Sequence, residues 1–189
     1  MVRWLCRALD LLHVPAVLEA LWRLMIFAGR LRPEEAAFAA SVLGPQTLRY
    51  RAVRIGERGI LPLVFKANKR RAFTLFHTIS LPRAGGHERT NTAILVHEMV
   101  HVLQFEKVGS VYIYEALRAQ RTEGYGYGGW EQLVSDRAKG KRFGSYNREQ
   151  QGQIVEDYCA TVVAKGIAAG DPIGKAYEPF IEDARRGLI

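Results

Sequence analysis

The densest apolar run in the chain spans Thr92 to Glu106. Within it Ile94, Leu95, Val96, Met99, Val100, Val102, Leu103 and Phe105 cover nearly the whole circumference of a helix. A helix apolar on all sides is expected to be buried. Elsewhere the pattern is one-sided. Trp4, Leu5, Leu9 and Leu12, then Val17, Leu21, Leu24 and Met25, recur at helical spacing and predict two short helices over 3–13 and 16–28. Pro33 opens another helix, with Glu34 and Glu35 placed favourably for its dipole and a stop at Gly44-Pro45. Residues 48–55, 61–66 and 72–81 read as strands, the last rich in β-formers and ended by Pro82. Helical patterns return over 111–121, from Asn147 to about Ala169, and over 176–186. Between them lies Glu123-Gly-Tyr-Gly-Tyr-Gly-Gly-Trp130, a loop of glycines and aromatic rings.

These elements define an α+β fold, with a small β-sheet beside a buried helix and a further long helix after it. No internal repeat or linker divides the chain, so residues 31–189 are expected to form one domain and residues 1–30 a helical extension. The extension has two readings, a packing appendage or a docking element for a membrane or partner. Asp10, His13, Pro15 and Glu19 interrupt its apolar run, so neither a signal peptide nor a stable membrane span is expected. A protein cytoplasmic as synthesised follows, with export through a secretion apparatus left open. Two cysteines, Cys6 and Cys159, give no disulfide framework and no cysteine metal site.

The net charge of +8 favours anionic partners in general. The basic runs Lys66–Arg71 and Arg137–Arg142 read as solvated loops without the aromatic interleaving of a nucleic-acid module, so no nucleic-acid partner is expected.

The chemistry concentrates in His97-Glu98-Met99-Val100-His101. Residues four apart on a helix stack on one face, so the two imidazoles can occupy two corners of a tetrahedral zinc site. Glu98 lies about 100° round the helix from His97 and can take a proton from a water beside the metal. Two histidines and a glutamate on a buried helix are costly unless paired, and a metal would pair them. The competing reading is a pair of core histidines satisfied by hydrogen bonds. Tyr125 and Tyr127 in the glycine-rich loop are candidates for oxyanion or substrate contacts. His77 is a lone strand histidine and His87 an exposed loop residue.

A catalytic zinc usually takes three protein ligands. The position six residues after His101, where one group of such motifs has a third histidine, is Lys107 here. A carboxylate from the later helix is the alternative. Glu149 and Glu156 lie seven apart on one face, roughly 10 Å from each other, so one site cannot readily use both. Gly152 would ease close approach near Glu149, and Ala160 near Glu156; both remain candidates on spacing.

The stretches His97-Glu-Met-Val-His-Val-Leu-Gln104 and Asn147-Arg-Glu-Gln-Gln-Gly152, with Leu31-Arg-Pro-Glu-Glu35 and Tyr50-Arg-Ala-Val-Arg-Ile55 ahead of them, resemble the zincin-like core domain associated with bacterial contractile injection systems and with type VI secretion Vgr-related and Rhs-associated proteins. The likeness covers about residues 31–165. More distantly the motifs resemble the thermolysin-like gluzincins. The resemblance implies a zincin-like metallopeptidase fold, with His97, His101 and Glu149 on zinc, Glu98 as general base, a peptide or protein substrate and a secretion-apparatus partner. It also allows a non-catalytic zinc-containing adaptor. The aspartate often found four residues after the ligand glutamate is Gln153 here, which leaves the partner supporting a ligand histidine unassigned.

Overall fold

The computed structural model describes residues 2–168 and 170–189. The chain opens with helices α1 (Val2–Leu11) and α2 (Val14–Met25), then runs through β1 (Gly29–Arg30), α3 (Pro33–Leu43), β2 (Arg54–Gly56), α4 (Leu61–Ala67), β3 (Phe73–Leu75) and β4 (Thr78–Ser80). The motif run forms α5 (Thr92–Val108), followed by α6 (Val111–Arg121), α7 (Gly129–Ala138), α8 (Arg148–Tyr158) and α9 (Pro172–Arg185). The described residues thus form a mixed α+β fold, mostly helical, with one four-stranded sheet. The sheet order is β1-β2-β4-β3. The central pair β2 and β4 is parallel, with Ile55 opposite Ile79, and the two outer pairs are antiparallel.

α5 is the core of the molecule. Ile94, Leu95, Val96, Met99, Val100, Val102 and Leu103 are all buried, against Ala39, Val42 and Leu43 of α3, Ile79 of β4, Ile154 and Val155 of α8, and Phe180 and Ile181 of α9. A second, smaller core joins Ile26, Leu61 and Phe65, with Trp22 and Phe73 against it. Through it α2 and α4 seat on the sheet. Residues 2–30 are therefore tied into the fold, and Gly29–Arg30 supply its edge strand.

Several elements differ from expectation. Residues 61–66 form helix α4 rather than a strand. Pro62 is tolerated in a first helical turn, and Leu61, Val64 and Phe65 stand at helical spacing. Of 48–55, only Arg54 and Ile55 join a strand. Tyr50–Ala52 coils into a 3₁₀ turn, and the Tyr50 hydroxyl donates to the Gly44 carbonyl at 2.7 Å. The run 72–81 is a hairpin rather than one strand, turning at Phe76, whose φ is +60°. Tyr112 stabilises this turn. Its hydroxyl accepts from the Phe76 N–H and donates to the Thr74 carbonyl, both at 3.0 Å. The Arg137–Arg142 run begins inside α7, and Lys141 pairs with Asp136 at 2.9 Å rather than lying free in a loop. α8 continues as a π-helical turn, Cys159–Val163. The helix ends there, with a turn over residues 164–166, rather than running on to about 169 as the pattern suggested.

Candidate metal centre

Two capped helix starts set the geometry. Asn91 opens α5, its side-chain oxygen accepting from the Ile94 N–H. Asn147 opens α8, accepting from the N–H groups of Glu149 at 3.0 Å and Gln150 at 2.9 Å. Glu149 therefore sits in the first turn of α8, where the helix dipole favours a carboxylate. α8 lies close along α5 because Gly152 has no side chain. A Cβ there would stand 2.7 Å from the His97 Nε2.

This packing brings Glu149 to both motif histidines. Its Oε2 lies 3.8 Å from His97 Nε2 and 3.6 Å from His101 Nε2. All three side chains are buried, and their ligand atoms lie within 4.8 Å of one another. These separations exceed a hydrogen bond and suit donors arranged around a shared cation.

The far side of each ring is anchored. His97 Nδ1 lies 2.8 Å from Glu156 Oε2, and His101 Nδ1 lies 2.8 Å from Gln104 Oε1. Both partners accept, so each Nδ1 carries a proton and each Nε2 is turned toward Glu149. Gln104 is itself held, its amide donating to the Arg148 carbonyl and to Gln151, both at 2.9 Å. Gln120 donates to Glu149 Oε1 at 2.9 Å and fixes that carboxylate. Glu156, the alternative third ligand, thus takes a different place. It holds the outer nitrogen of His97, filling the supporting role left open by Gln153.

The electrostatics favour positive charge at this point. Burial pushes the His97 pKa down, but the carboxylates of Glu149 and Glu156 beside it outweigh burial and raise the value to about 10. His101 is also raised against burial, mainly by Glu149. Burial pushes the Glu149 carboxyl up, yet the two imidazoles bring it well below the usual range. A field that holds a proton between two imidazoles and a carboxylate also suits a divalent cation, which competes with that proton.

Glu98 faces the same space, within Coulombic reach of both histidines. Thr74 on β3 donates to its Oε2 at 2.7 Å. The residues front an open cavity of about 750 Å³. Its apolar walls include Phe73 and Leu75 of β3, Ile94, Ile113 and Leu117, while exposed Lys69 and Arg71 stand at its rim.

Of the two loop tyrosines, only Tyr125 reaches this cavity, with its ring centroid 6.0 Å from that of His97. Burial and neighbouring Glu149 push its hydroxyl pKa up, keeping it a donor. Tyr127, expected beside it, turns into the core. Its hydroxyl donates to Asp157 at 2.6 Å and lies 2.8 Å from the Tyr177 hydroxyl. Residues two apart would share a face in a regular strand, but the loop is turned by Gly124 and Gly128 at positive φ, and the two rings part. His77 is remote from the centre, wedged between Glu106 at 3.0 Å and Glu19. His87 is half-buried at the cavity rather than exposed, facing the Ala72 N–H.

Thr74, Gln104, Gln120 and the supporting role of Glu156 were not assigned from the sequence. Gln104 alone had a local signal, one helical turn beyond His101. Comparison of the chain with family models, with curated proteins and with solved structures found no significant match. The geometry establishes a buried two-histidine, one-carboxylate group able to hold a metal ion.

Proposed function

We propose that the protein is a zinc-dependent metallopeptidase of the zincin-like class. The observation that carries this reading is the convergence of His97, His101 and Glu149 beside Glu98 at an open cavity. The donor set, two nitrogens and one oxygen, is that of hydrolytic zinc sites. A tetrahedron with bonds of about 2.05 Å has edges of about 3.3 Å, close to the Nε2–Oε2 separations of 3.6 and 3.8 Å. A purely structural site would need neither the cavity nor Glu98.

When bound, zinc would supply Lewis acidity, polarising a scissile carbonyl and acidifying a water. Glu98 receives the proton of the attacking water and passes it to the leaving amine. Thr74 holds one Glu98 oxygen and leaves the other for that transfer. Tyr125 offers a hydroxyl to the developing oxyanion. β3 is an edge of the sheet and lines the cavity, so an extended peptide has a strand to lie against. The partnership with a contractile injection or type VI apparatus is carried by the motif resemblance of His97–Gln104 and Asn147–Gly152.

The test is a zinc-loaded preparation incubated with a peptide library and read by mass spectrometry. Cleavage should disappear with chelation. Glu98→Gln should keep its zinc and lose at least about a hundredfold in turnover, the scale of a general base. Equal cleavage by that variant would overturn the assignment. Bound zinc with no cleavage of any peptide or candidate protein would make the chain a zinc-containing adaptor.

A further inference from the structure

α2 buries Glu19 and leaves a stripe of apolar side chains in water. Val17, Leu18, Leu21, Leu24 and Met25, at positions i, i+1, i+4, i+7 and i+8, form one stripe, and all are exposed, Leu24 at 71%. The opposite stripe carries Pro15, Glu19, Trp22 and Ile26, directed at the sheet. Glu19 is buried there. It accepts from the His77 N–H and the Thr78 hydroxyl at 2.8 Å and from Arg23 at 2.9 Å. Arg23 also donates to Thr78 at 2.8 Å and to the Ala52 carbonyl at 3.0 Å. These bonds fix the rotation of the helix, and rolling it to cover its leucines would break all of them.

α1, in which no residue is buried, carries a second exposed stripe. Trp4, Leu5, Ala8, Leu11 and Leu12 stand at the same spacing and are exposed, Trp4 at 74% and Leu11 at 79%. α1 is held in place by Asp10, which accepts from the Ser110 N–H, and by Arg3, which pairs with Glu115 at 3.0 Å. Phe27 and Leu63 extend the apolar surface. Exposed apolar side chains gathered in one segment mark an interaction surface rather than scattered surface residues.

The charge points to the occupant. Residues 1–71 contain 13 Lys and Arg against 5 Asp and Glu, whereas residues 72–189 contain 14 of each. The entire net charge of +8 therefore lies in the segment that carries the exposed helices. Among the described residues, Arg7, Arg30, Arg51, Arg58 and Lys66 are exposed and enter no ion pair. Arg30 and Arg58 flank the C-terminal end of α2, where β1 begins and where the Ile60 N–H meets the Met25 carbonyl. Such a concentration of one sign repels a second copy. Apolar stripes with an interfacial tryptophan and a basic surround match an anionic bilayer, where leucines enter the headgroup boundary and guanidinium groups meet phosphates. No described helix is long and apolar enough to cross a membrane.

We infer that the α1–α2 hairpin is a peripheral docking surface for anionic lipid bilayers. The test is flotation of the full chain with vesicles of phosphatidylcholine alone or of equal parts phosphatidylcholine and phosphatidylglycerol. The chain should float with the mixed vesicles, far less with the neutral ones, and less as salt rises. Leu21→Glu/Leu24→Glu and, separately, Arg30→Glu/Arg58→Glu should each reduce flotation at least about tenfold, with circular dichroism unchanged. Failure of the wild-type chain to float with anionic vesicles would overturn the inference, as would equal flotation of the leucine variant. Sedimentation velocity without lipid adds a further outcome. A dimer dissolved by Leu21→Glu/Leu24→Glu would make this face a self-interface and overturn the lipid assignment.

Discussion

Helix α5 holds His97, Glu98, His101 and Gln104 in the buried middle of the protein, whereas α2 leaves five apolar side chains in water while burying Glu19. Both depart from the usual sorting of polar and apolar residues, and the departures differ in kind. The Glu19 cluster is closed on itself. Its principal contacts to Arg23, His77 and Thr78 are 2.8–2.9 Å, ordinary hydrogen bonds within the protein. The α5 group is closed only on its outer side, at the two Nδ1 atoms. On its inner side Nε2 and Oε2 atoms face one another at 3.6–3.8 Å. Buried polar groups joined at hydrogen-bond distance position a helix; buried polar groups converging at ligand distance describe a site.

That contrast can be broken by substitution. The largest effect is expected at Glu149. Glu149→Ala removes a donor from the inner group and should weaken zinc binding by about a hundredfold or more, beyond the 10–100-fold typical of supporting residues. Titration calorimetry measures it, and the thermal stabilisation on adding zinc should shrink in step. Unchanged affinity would mean that the inner group is not the site.

Glu19→Ala attacks the closed cluster. It leaves Arg23 and the His77 N–H without their partner in a largely buried setting, which should cost about 2–4 kcal/mol in denaturant unfolding. Zinc affinity in the folded protein should not change. Loss of zinc at native conditions without loss of stability would erase the distinction between the two clusters.

Glu156→Ala should weaken zinc about tenfold, because His97 keeps its Nε2 but loses the acceptor that orients it. A loss equal to that of Glu149→Ala would make Glu156 a direct ligand. The same site sets a pH dependence. The raised His97 value of about 10 means that its charge stabilises the metal-free fold fully below its ordinary value near 6.5, with the contribution fading as pH climbs toward 10. Zinc needs the unprotonated nitrogen, so its apparent affinity should climb over that same range. The gap in thermal midpoint between zinc-loaded and metal-free protein should therefore widen from pH 6.5 to 9. A constant gap would contradict the proton–metal competition.

The smallest effect is expected at Leu24. Leu24→Glu should change unfolding stability by no more than about 0.5 kcal/mol, since the side chain is already solvated. A larger loss would show that the apolar stripe packs within the protein.

The motif helix and its partner were legible because their signals are local. His97, Glu98 and His101 sit at fixed spacing within an apolar run, and Asn147 announces a helix start. The choice between Glu149 and Glu156 was not settled by spacing, because both face α5. The clearance at Gly152 and the bond from Glu156 to the outer nitrogen of His97 separate their roles. The hairpin turn at Phe76 was hidden for a different reason. It has no glycine, asparagine or proline, and the hydroxyl that holds it comes from Tyr112, 36 residues away. Leu61, Val64 and Phe65 of α4 carry the helical period, but seven residues are too few to tell a short helix from a short buried strand by pattern. Tyr127 was indistinguishable from Tyr125 until Asp157 and Tyr177 were seen to hold it.

α4 has one more consequence. Leu61 and Phe65 anchor it beside α2, Leu63 continues the apolar surface outward, and Val64 and Ala67 line the wall of the cavity. One short helix therefore borders both the lipid-seeking face and the entrance to the proposed active site. A molecule seated by that face would search for its substrate in two dimensions rather than three. Under the proposed function, the targets it meets most often would be chains lying at the membrane surface, so proximity to the bilayer would set its selectivity as much as any sequence preference of the site.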